Sequence, residues 1–233
     1  MLNLICGFNK LTMVDFDGKM SATIFLGACN FRCPFCHNSG IVTDVNNADR
    51  VSFSEIYDYL QKRKGILEAV CITGGEPTLY PDLKEMIIKI KELGYLVKLD
   101  TNGTNPDIVK DLFKEGLIDY VAMDIKNSFA KYPITTGKKS IDQEPIKESI
   151  DFLISSGIDY EFRTTLVKEL HTINDMKEIA LMIKGAKRYY LQQFIDNGGC
   201  IVSGLHKVEK DDAIIFRDEL KKTLECVELR GYE

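Results

Sequence analysis

The sequence predicts an α/β fold, an open, partial (β/α)6 barrel with parallel strands, in one domain over residues 1–233. Three observations carry that expectation. Short apolar runs bounded by turn residues recur along the chain, and they are too short to be helices. Between them lie stretches with apolar residues at three- and four-residue spacing, most of them closed by a glycine. The polar, chemistry-bearing motifs stand directly after the apolar runs, where a parallel sheet presents its ligands.

Residues 1–20 alternate loosely and contain the turn signal Asp15-Phe16-Asp17-Gly18, which predicts a short hairpin or an extended lead-in. Residues 21–26, SATIFL, read as the first buried strand. Residues 39–50 are polar and irregular and read as a loop. Ser52-Phe53-Ser54-Glu55 has the form of a capping box, opening a helix that stops at Gly65. The second strand covers residues 69–73, and its helix carries Leu83, Met86, Ile87 and Ile90 and ends at Gly94. The third strand, 96–99, runs into Asp100-Thr101-Asn102-Gly103. Pro106 then opens a helix that Gly116 closes. The fourth strand, 120–123, runs into Asp124-Ile125-Lys126, and after the loop 127–140 a helix with Ile146, Ile150 and Leu153 stops at Gly157. The fifth strand, 160–167, carries Arg163; the helix after it shows Met176, Ile179, Ala180 and Ile183. The sixth strand, 188–194, carries Gln192 and Gln193, and a second long loop covers 196–209. Ile214, Leu220, Leu224 and Val227 predict a C-terminal helix over 210–233. Strands separated by helices imply right-handed parallel crossovers, with the polar motifs converging beyond the strand ends on one shared site.

Composition narrows the function. The chain has 233 residues, 45% hydrophobic and 28% charged, the balance of a globular protein with a sizeable core. A formal net charge of −5 argues against broad nucleic-acid binding, which needs a basic face. No run is long enough to span a bilayer, and residues 1–10 lack the pattern of a signal peptide. Seven cysteines without such a signal point to a reducing cytoplasm and to metal chemistry.

The metal reading rests on Gly27-Ala28-Cys29-Asn30-Phe31-Arg32-Cys33-Pro34-Phe35-Cys36-His37-Asn38. Three cysteines at CxxxCxxC spacing suit three corners of an iron–sulfur cube, which leaves one iron open for chemistry. Zinc is the main rival, because it also takes soft thiolates, although structural zinc wants four closed ligands. On the cysteines alone the two stand close together. Thr73-Gly74-Gly75-Glu76-Pro77, at a strand exit, is the second motif. Its glycines let backbone approach a ligand, and Glu76 offers a carboxylate to a cation such as an ammonium group. Read structurally, this is a plain strand-to-helix turn, Asp100 and Asp124 are helix caps and Lys126 is a surface lysine. Cys71 reads as core, His171 and His206 as surface residues, and Cys6, Cys200 and Cys226 as ordinary thiols.

Together the two motifs resemble the radical S-adenosylmethionine (SAM) enzymes. With CHN after the third cysteine, DTNG and DIK, the chain is similar to the glycyl-radical-enzyme activases over almost its whole length. Among these, the long form of the anaerobic ribonucleoside-triphosphate reductase activating protein is the nearest likeness, with pyruvate formate-lyase activating enzyme a near relative. The resemblance implies that Cys29, Cys33 and Cys36 ligate a [4Fe–4S] cluster. It implies that Phe35 and the backbone of Cys36 and His37 hold the SAM adenine. Gly74, Gly75 and Glu76 would receive the methionine ammonium, and Asp124 and Lys126 the ribose and carboxylate region. Asn102 of DTNG and Arg163 would lie near the cofactor. Asp100, Thr101, Ala122 and Asp124 match a monovalent-cation corner. Formate-lyase activases place a histidine on SAM from the sixth strand; here Gln192 stands there, able to hydrogen-bond ribose but not to titrate near neutrality. The implied protein substrate is a glycyl radical enzyme, an anaerobic ribonucleotide reductase, with flavodoxin or ferredoxin as one-electron donor and no nucleic acid or membrane. The alternatives are an activase of another glycyl radical enzyme such as pyruvate formate-lyase, and a radical SAM enzyme acting on a small molecule or peptide.

Overall fold

The structure is a computed structural model that describes residues 4–232. The first three residues of the expected lead-in and Glu233 of the expected C-terminal helix lie outside the described residues. In chain order the elements begin with β1 (Ile5–Thr12), β2 (Ser21–Leu26), α1 (Ser39–Thr43), α2 (Phe53–Lys62), β3 (Ala69–Gly74), a 3-10 turn (Pro77–Leu79) and α3 (Leu83–Glu92). They continue with β4 (Leu96–Thr101), α4 (Pro106–Lys114), β5 (Tyr120–Asp124), α5 (Tyr132–Thr135) and α6 (Glu144–Ser155). The last are β6 (Asp159–Leu166), α7 (Ile173–Met182), β7 (Tyr189–Gln193), α8 (Lys210–Leu220) and β8 (Val227–Arg230). The strands hydrogen-bond in chain order, β1 to β8, in an α/β sheet that is mostly parallel and open. All six expected strands are present, as β2 to β7.

The described chain divides into two compact units. The first comprises residues 4–30, 40–101 and 107–121. Here β1 pairs with β2 antiparallel, so the lead-in is a full edge strand. β2, β3 and β4 pair in parallel register, Ala22 opposite Val70 and Val70 opposite Val97. Ala22, Ile24, Ala69, Val70, Ile72, Val97 and Leu99 are all at 0% exposure, the continuous burial of strands covered on both faces. The expected capping box is formed: the Ser52 hydroxyl accepts from Glu55 N, and the Glu55 carboxylate accepts from Ser52 N at 3.2 Å. It starts α2, which buries Ile56 and Leu60. α3 buries Leu83, Met86, Ile87 and Ile90, the stripe its spacing predicts.

The second unit comprises residues 31–39, 102–106 and 122–232. β6, β7 and β8 pair in parallel. Tyr160, Phe162, Tyr189, Leu191 and Phe194 fill its core. Four expectations change. The C-terminal helix stops at Leu220, and residues 227–230 form β8. Leu224 and Val227 fit helical spacing, but Val-Glu-Leu-Arg alternates with period two, and pairing Val227 opposite Tyr189 and Leu229 opposite Leu191 satisfies the backbone of both strands. The loop 39–50 begins with the short helix α1. The loop 127–140 contains α5, with Pro133 in its first turn. His171 is buried at 3% exposure rather than on the surface. Its Nδ1 accepts from Val167 N at 3.0 Å and its Nε2 lies 3.0 Å from the Lys126 carbonyl, so it ties the turn after β6 to the end of β5. Cys71 is core at 0% and His206 is exposed beside Glu169, as expected.

Candidate cofactor site

In the first unit the end of β3 runs hard against the start of the cysteine loop. Gly75 N donates to the Leu26 carbonyl at 2.7 Å, and Glu76 N to the Ala28 carbonyl at 2.9 Å. A Cβ on Gly75 would lie 1.8 Å from Ala28 O and 3.3 Å from the Cys29 Cβ, so only glycine fits. Gly74 adopts φ +122, and a Cβ there would lie 2.2 Å from Leu26 O. Ala28 itself has φ +67, the one described non-glycine residue with positive φ. The two glycines thus let backbone meet backbone at the root of the cysteine loop.

Glu76 is buried at 1% exposure. Its Oε1 accepts from Thr78 N at 3.1 Å, Thr78 Oγ1 at 2.6 Å and Thr101 Oγ1 at 2.8 Å. Three donors on one oxygen fix the carboxylate and link the exits of β3 and β4. Beside them, Thr73 Oγ1 donates to Asp100 Oδ2 at 3.1 Å. Lys98, two residues earlier on the same face of β4, brings its ammonium to 3.7 Å from Asp100 Oδ1. Lys98 also donates to the Asp15 carbonyl at 2.5 Å and lies 5.5 Å from the Tyr120 ring centroid. Sequence reasoning missed Lys98; its signal was a charge inside an otherwise apolar strand.

In the second unit the rest of the cysteine loop is held from two sides. Arg32 N donates to the Thr136 carbonyl at 2.8 Å, an approach that Gly137 permits, since a Cβ there would lie 2.2 Å from Arg32 O. Val202 N donates to the Pro34 carbonyl at 2.9 Å, and the Ser39 hydroxyl to the Gly199 carbonyl. Cys33 and Phe35 are buried, and Cys36 is half-buried. His37 is exposed and stacks on Phe194, centroids 5.5 Å apart and planes 12° apart. Burial pushes the Cys36 thiol up, against the pull of the Asn38 amide and the Lys126 and Arg32 charges.

Asp124, at the end of β5, is the centre of an ion cluster. Lys126 Nζ lies 2.9 Å from Oδ2 and Arg163 Nε 3.0 Å from Oδ1. Burial pushes the Asp124 carboxyl up, but the two cations outweigh it and hold it down at about 2. Burial pulls the Lys126 ammonium down, and Asp124 more than reverses this, so Lys126 stays charged. Ala122 is buried in β5. Asn102 is buried, and its Oδ1 accepts from Thr104 N at 3.1 Å and Thr104 Oγ1 at 2.7 Å. Gln192 is half-buried on β7, opposite Thr165 and Arg230 in register.

Within each unit, then, the structure brings Gly74 against Leu26 and Gly75 against Ala28 and Cys29, joins Glu76 with Thr101, and joins Asp124, Lys126 and Arg163. Among the described residues no three His, Cys, Asp or Glu side chains are gathered closely enough to hold a metal ion. Cys29, Cys33 and Cys36 are all free thiols, and a set of three soft sulfurs within one short loop suits an iron–sulfur cluster. Among the described residues no helix is long and apolar enough to cross a membrane.

Comparison with known proteins gives the following. The family model described as the radical SAM superfamily matches residues 23–183. A candidate glycyl-radical enzyme activating enzyme of Methanocaldococcus jannaschii is 38% identical over 201 residues, covering 83% of this chain and 81% of that protein. The 7-carboxy-7-deazaguanine synthase of Haemophilus influenzae is 30% identical over 129 residues, covering 55% of this chain and 54% of that enzyme. A domain of pyruvate-formate lyase-activating enzyme from Bacteroides vulgatus superposes with a TM-score of 0.58 at 15% identity, over 70% of this chain and 99% of that one. SuiB of Streptococcus suis bound to S-adenosylmethionine superposes with a TM-score of 0.66 at 16% identity, over 88% of this chain and 48% of that one. The chain thus spans about half the length of SuiB, and the last two likenesses concern the fold alone.

Proposed function

Since this chain belongs to the radical SAM superfamily, whose members use a [4Fe–4S] cluster and SAM, we propose that it is an activating enzyme that installs a glycyl radical on an anaerobic ribonucleotide reductase. The observation that carries the activase reading is the likeness over most of both chains to the Methanocaldococcus jannaschii protein. Gln192 in place of a histidine on β7 favours the reductase over pyruvate formate-lyase as target.

The donor types suit the cofactors: soft thiols for the cluster, and a carboxylate and charged groups for SAM. The thiolates of Cys29, Cys33 and Cys36 would be the ligands of the cluster, which would leave room on it for SAM. Glu76, already oriented by Thr78 and Thr101, would take the methionine ammonium alongside the Gly74-Gly75 backbone. Asp124 remains ionised and Lys126 charged at any working pH, so they fix the ribose and carboxylate without moving a proton. On this reading Phe35, His37 and the backbone of Cys36 would receive the adenine, Arg163 and Gln192 would add polar contacts, and Asn102, whose Oδ1 accepts from Thr104, would shape the turn after Thr101. The family likeness would assign Asp100, Thr101, Ala122 and Asp124 to a monovalent cation. When bound, and given one electron by a protein such as flavodoxin or ferredoxin, the cluster and SAM would supply the one-electron chemistry that removes a hydrogen atom from a glycine Cα. The chain's own groups bind, orient and exclude water; none needs to act as acid or base. Seven free cysteines suit a reducing cytoplasm.

The test mixes anoxic, cluster-loaded protein, SAM, reductant and the reductase. The expected result is a doublet electron-spin-resonance signal that collapses to a singlet when the glycine α-position carries deuterium. A signal only with pyruvate formate-lyase moves the target to that enzyme. SAM cleavage with neither signal rules out both named targets and favours a small-molecule substrate.

A further inference from the structure

The ion cluster at Asp124 does not end with Arg163. Arg163 Nη1 lies 3.9 Å from Glu161 Oε1. Glu161 is 1% exposed, and Arg230 from β8 grips it with both arms, Nη1 to Oε1 at 3.1 Å and Nη2 to Oε2 at 3.2 Å. The Arg230 guanidinium in turn lies 3.7 Å from the centroid of the Tyr190 ring on β7. Five charged side chains therefore form one line of contacts, Lys126–Asp124–Arg163–Glu161–Arg230, running from the end of β5 through β6 to β8.

Strand geometry explains how they meet. Glu161 and Arg163 are two apart on β6 and share a face. In register, Arg163 stands opposite Tyr190, and Gln192 stands opposite both Thr165 and Arg230. Arg230 therefore starts level with Thr165, at the C-terminal end of the sheet, and its side chain reaches back past Tyr190 to Glu161. A fully buried carboxylate is costly unless paired, and two arginines from different strands hold this one. A planar, bidentate guanidinium–carboxylate pair also fixes direction in a way a lysine pair does not.

We propose that Glu161 and Arg230 are positioning residues for SAM. By anchoring Arg163 from below they fix how it meets Asp124, and so where Asp124 and Lys126 present their charges to the cofactor. This rests on the assignment of Asp124 and Lys126 to SAM. The line carries three positive and two negative charges, an excess of one that suits an anionic group such as the SAM carboxylate.

The experiment measures SAM affinity by anoxic calorimetry on the cluster-loaded protein, with thermal melting alongside. Variants are Glu161→Gln, Arg230→Lys, the double Glu161→Gln/Arg230→Met, and Lys126→Met as the control. The double variant removes both charges, so neither is left buried alone. The expected result is that Glu161→Gln and the double variant weaken SAM binding about ten-fold, while Arg230→Lys keeps part of the affinity. The double variant should also melt close to the wild type, which separates positioning from folding. Lowered melting with unchanged SAM affinity in Glu161→Gln and the double variant overturns the proposal. If Lys126→Met weakens binding and those two do not, only the positioning role fails. If Lys126→Met also leaves affinity unchanged, the assignment of Asp124 and Lys126 to SAM fails with it.

Discussion

Replacing Gly75 by alanine should unseat the root of the cysteine loop. The φ of Gly75 is not in the left-handed region, so the substitution meets no backbone strain of its own, only a lack of space. The new Cβ would stand 1.8 Å from Ala28 O and 2.6 Å from Ala28 C, against a working minimum of 3.0 Å, so one backbone must retreat by roughly 1.2 Å. Both partners are main chain and neither can rotate away. The retreat breaks or stretches two hydrogen bonds, Gly75 N to Leu26 O and Glu76 N to Ala28 O. At about 1 kcal/mol each, with about 1–2 kcal/mol of overpacking strain, the loss is about 3–4 kcal/mol. Gly94→Ala is the control: its φ is +90 but nothing lies within 4 Å, so only the left-handed penalty of about 1–2 kcal/mol applies. The assay is urea unfolding, with iron per chain after anoxic reconstitution. Gly75→Ala should lose both stability and iron, whereas Gly94→Ala keeps its iron. A Gly75→Ala protein as stable as Gly94→Ala and fully loaded with iron would refute the close approach.

Two further outcomes are expected. Cys33→Ala should abolish the cluster absorption of the reconstituted protein, whereas Cys226→Ala should retain it; zinc without iron in the anoxically purified wild type would count against the cluster. Burial lowers the pKa of His171 below its ordinary 6.5, against the pull of the Lys126 and Val167 backbone contacts, so the folded state keeps it neutral. An unfolded histidine takes up a proton before the folded one does. The stabilisation is therefore complete above about pH 6.5 and is lost as pH falls through the lower, folded value. The urea midpoint should fall on going from neutrality to pH 5, and His171→Gln should flatten that slope; an unchanged slope in the variant would assign it to other groups.

How much of this was legible beforehand differs by element. Strands β2 to β5 announced themselves because each holds a largely apolar run cut off by polar or turn residues, and β6 and β7 because their aromatic and β-branched residues lie between helical stretches. Gly74, Gly75 and Glu76 were legible as a motif, but their reason was not: no sequence says that the Ala28 carbonyl sits where a Cβ would go. β8 was hidden because Leu224 and Val227 also fit a helix, and only pairing with β7 decides between the periods. Glu161 and Arg230 were invisible for a related reason. One is a charge beside Arg163 in an expected strand and the other lay in an expected helix, so nothing local joins them. His171 was misread because exposure is a property of the surrounding turn, which the chain around it does not reveal.

The pairing of Glu161 with Arg230 also sets a timetable. The two residues are 69 apart in the chain. At a synthesis rate of about 5–20 residues per second, Glu161 leaves the ribosome's catalytic centre roughly 3–14 seconds before its partner is made. During that interval β6 carries a carboxylate that belongs in the interior and has not yet met the guanidinium that stands against it in the finished fold. A nascent chain in that state does better to keep β6 hydrated than to bury it. The second unit should therefore close late, when β8 arrives, and ribosome-bound chains halted before residue 227 should leave β6 open to protease.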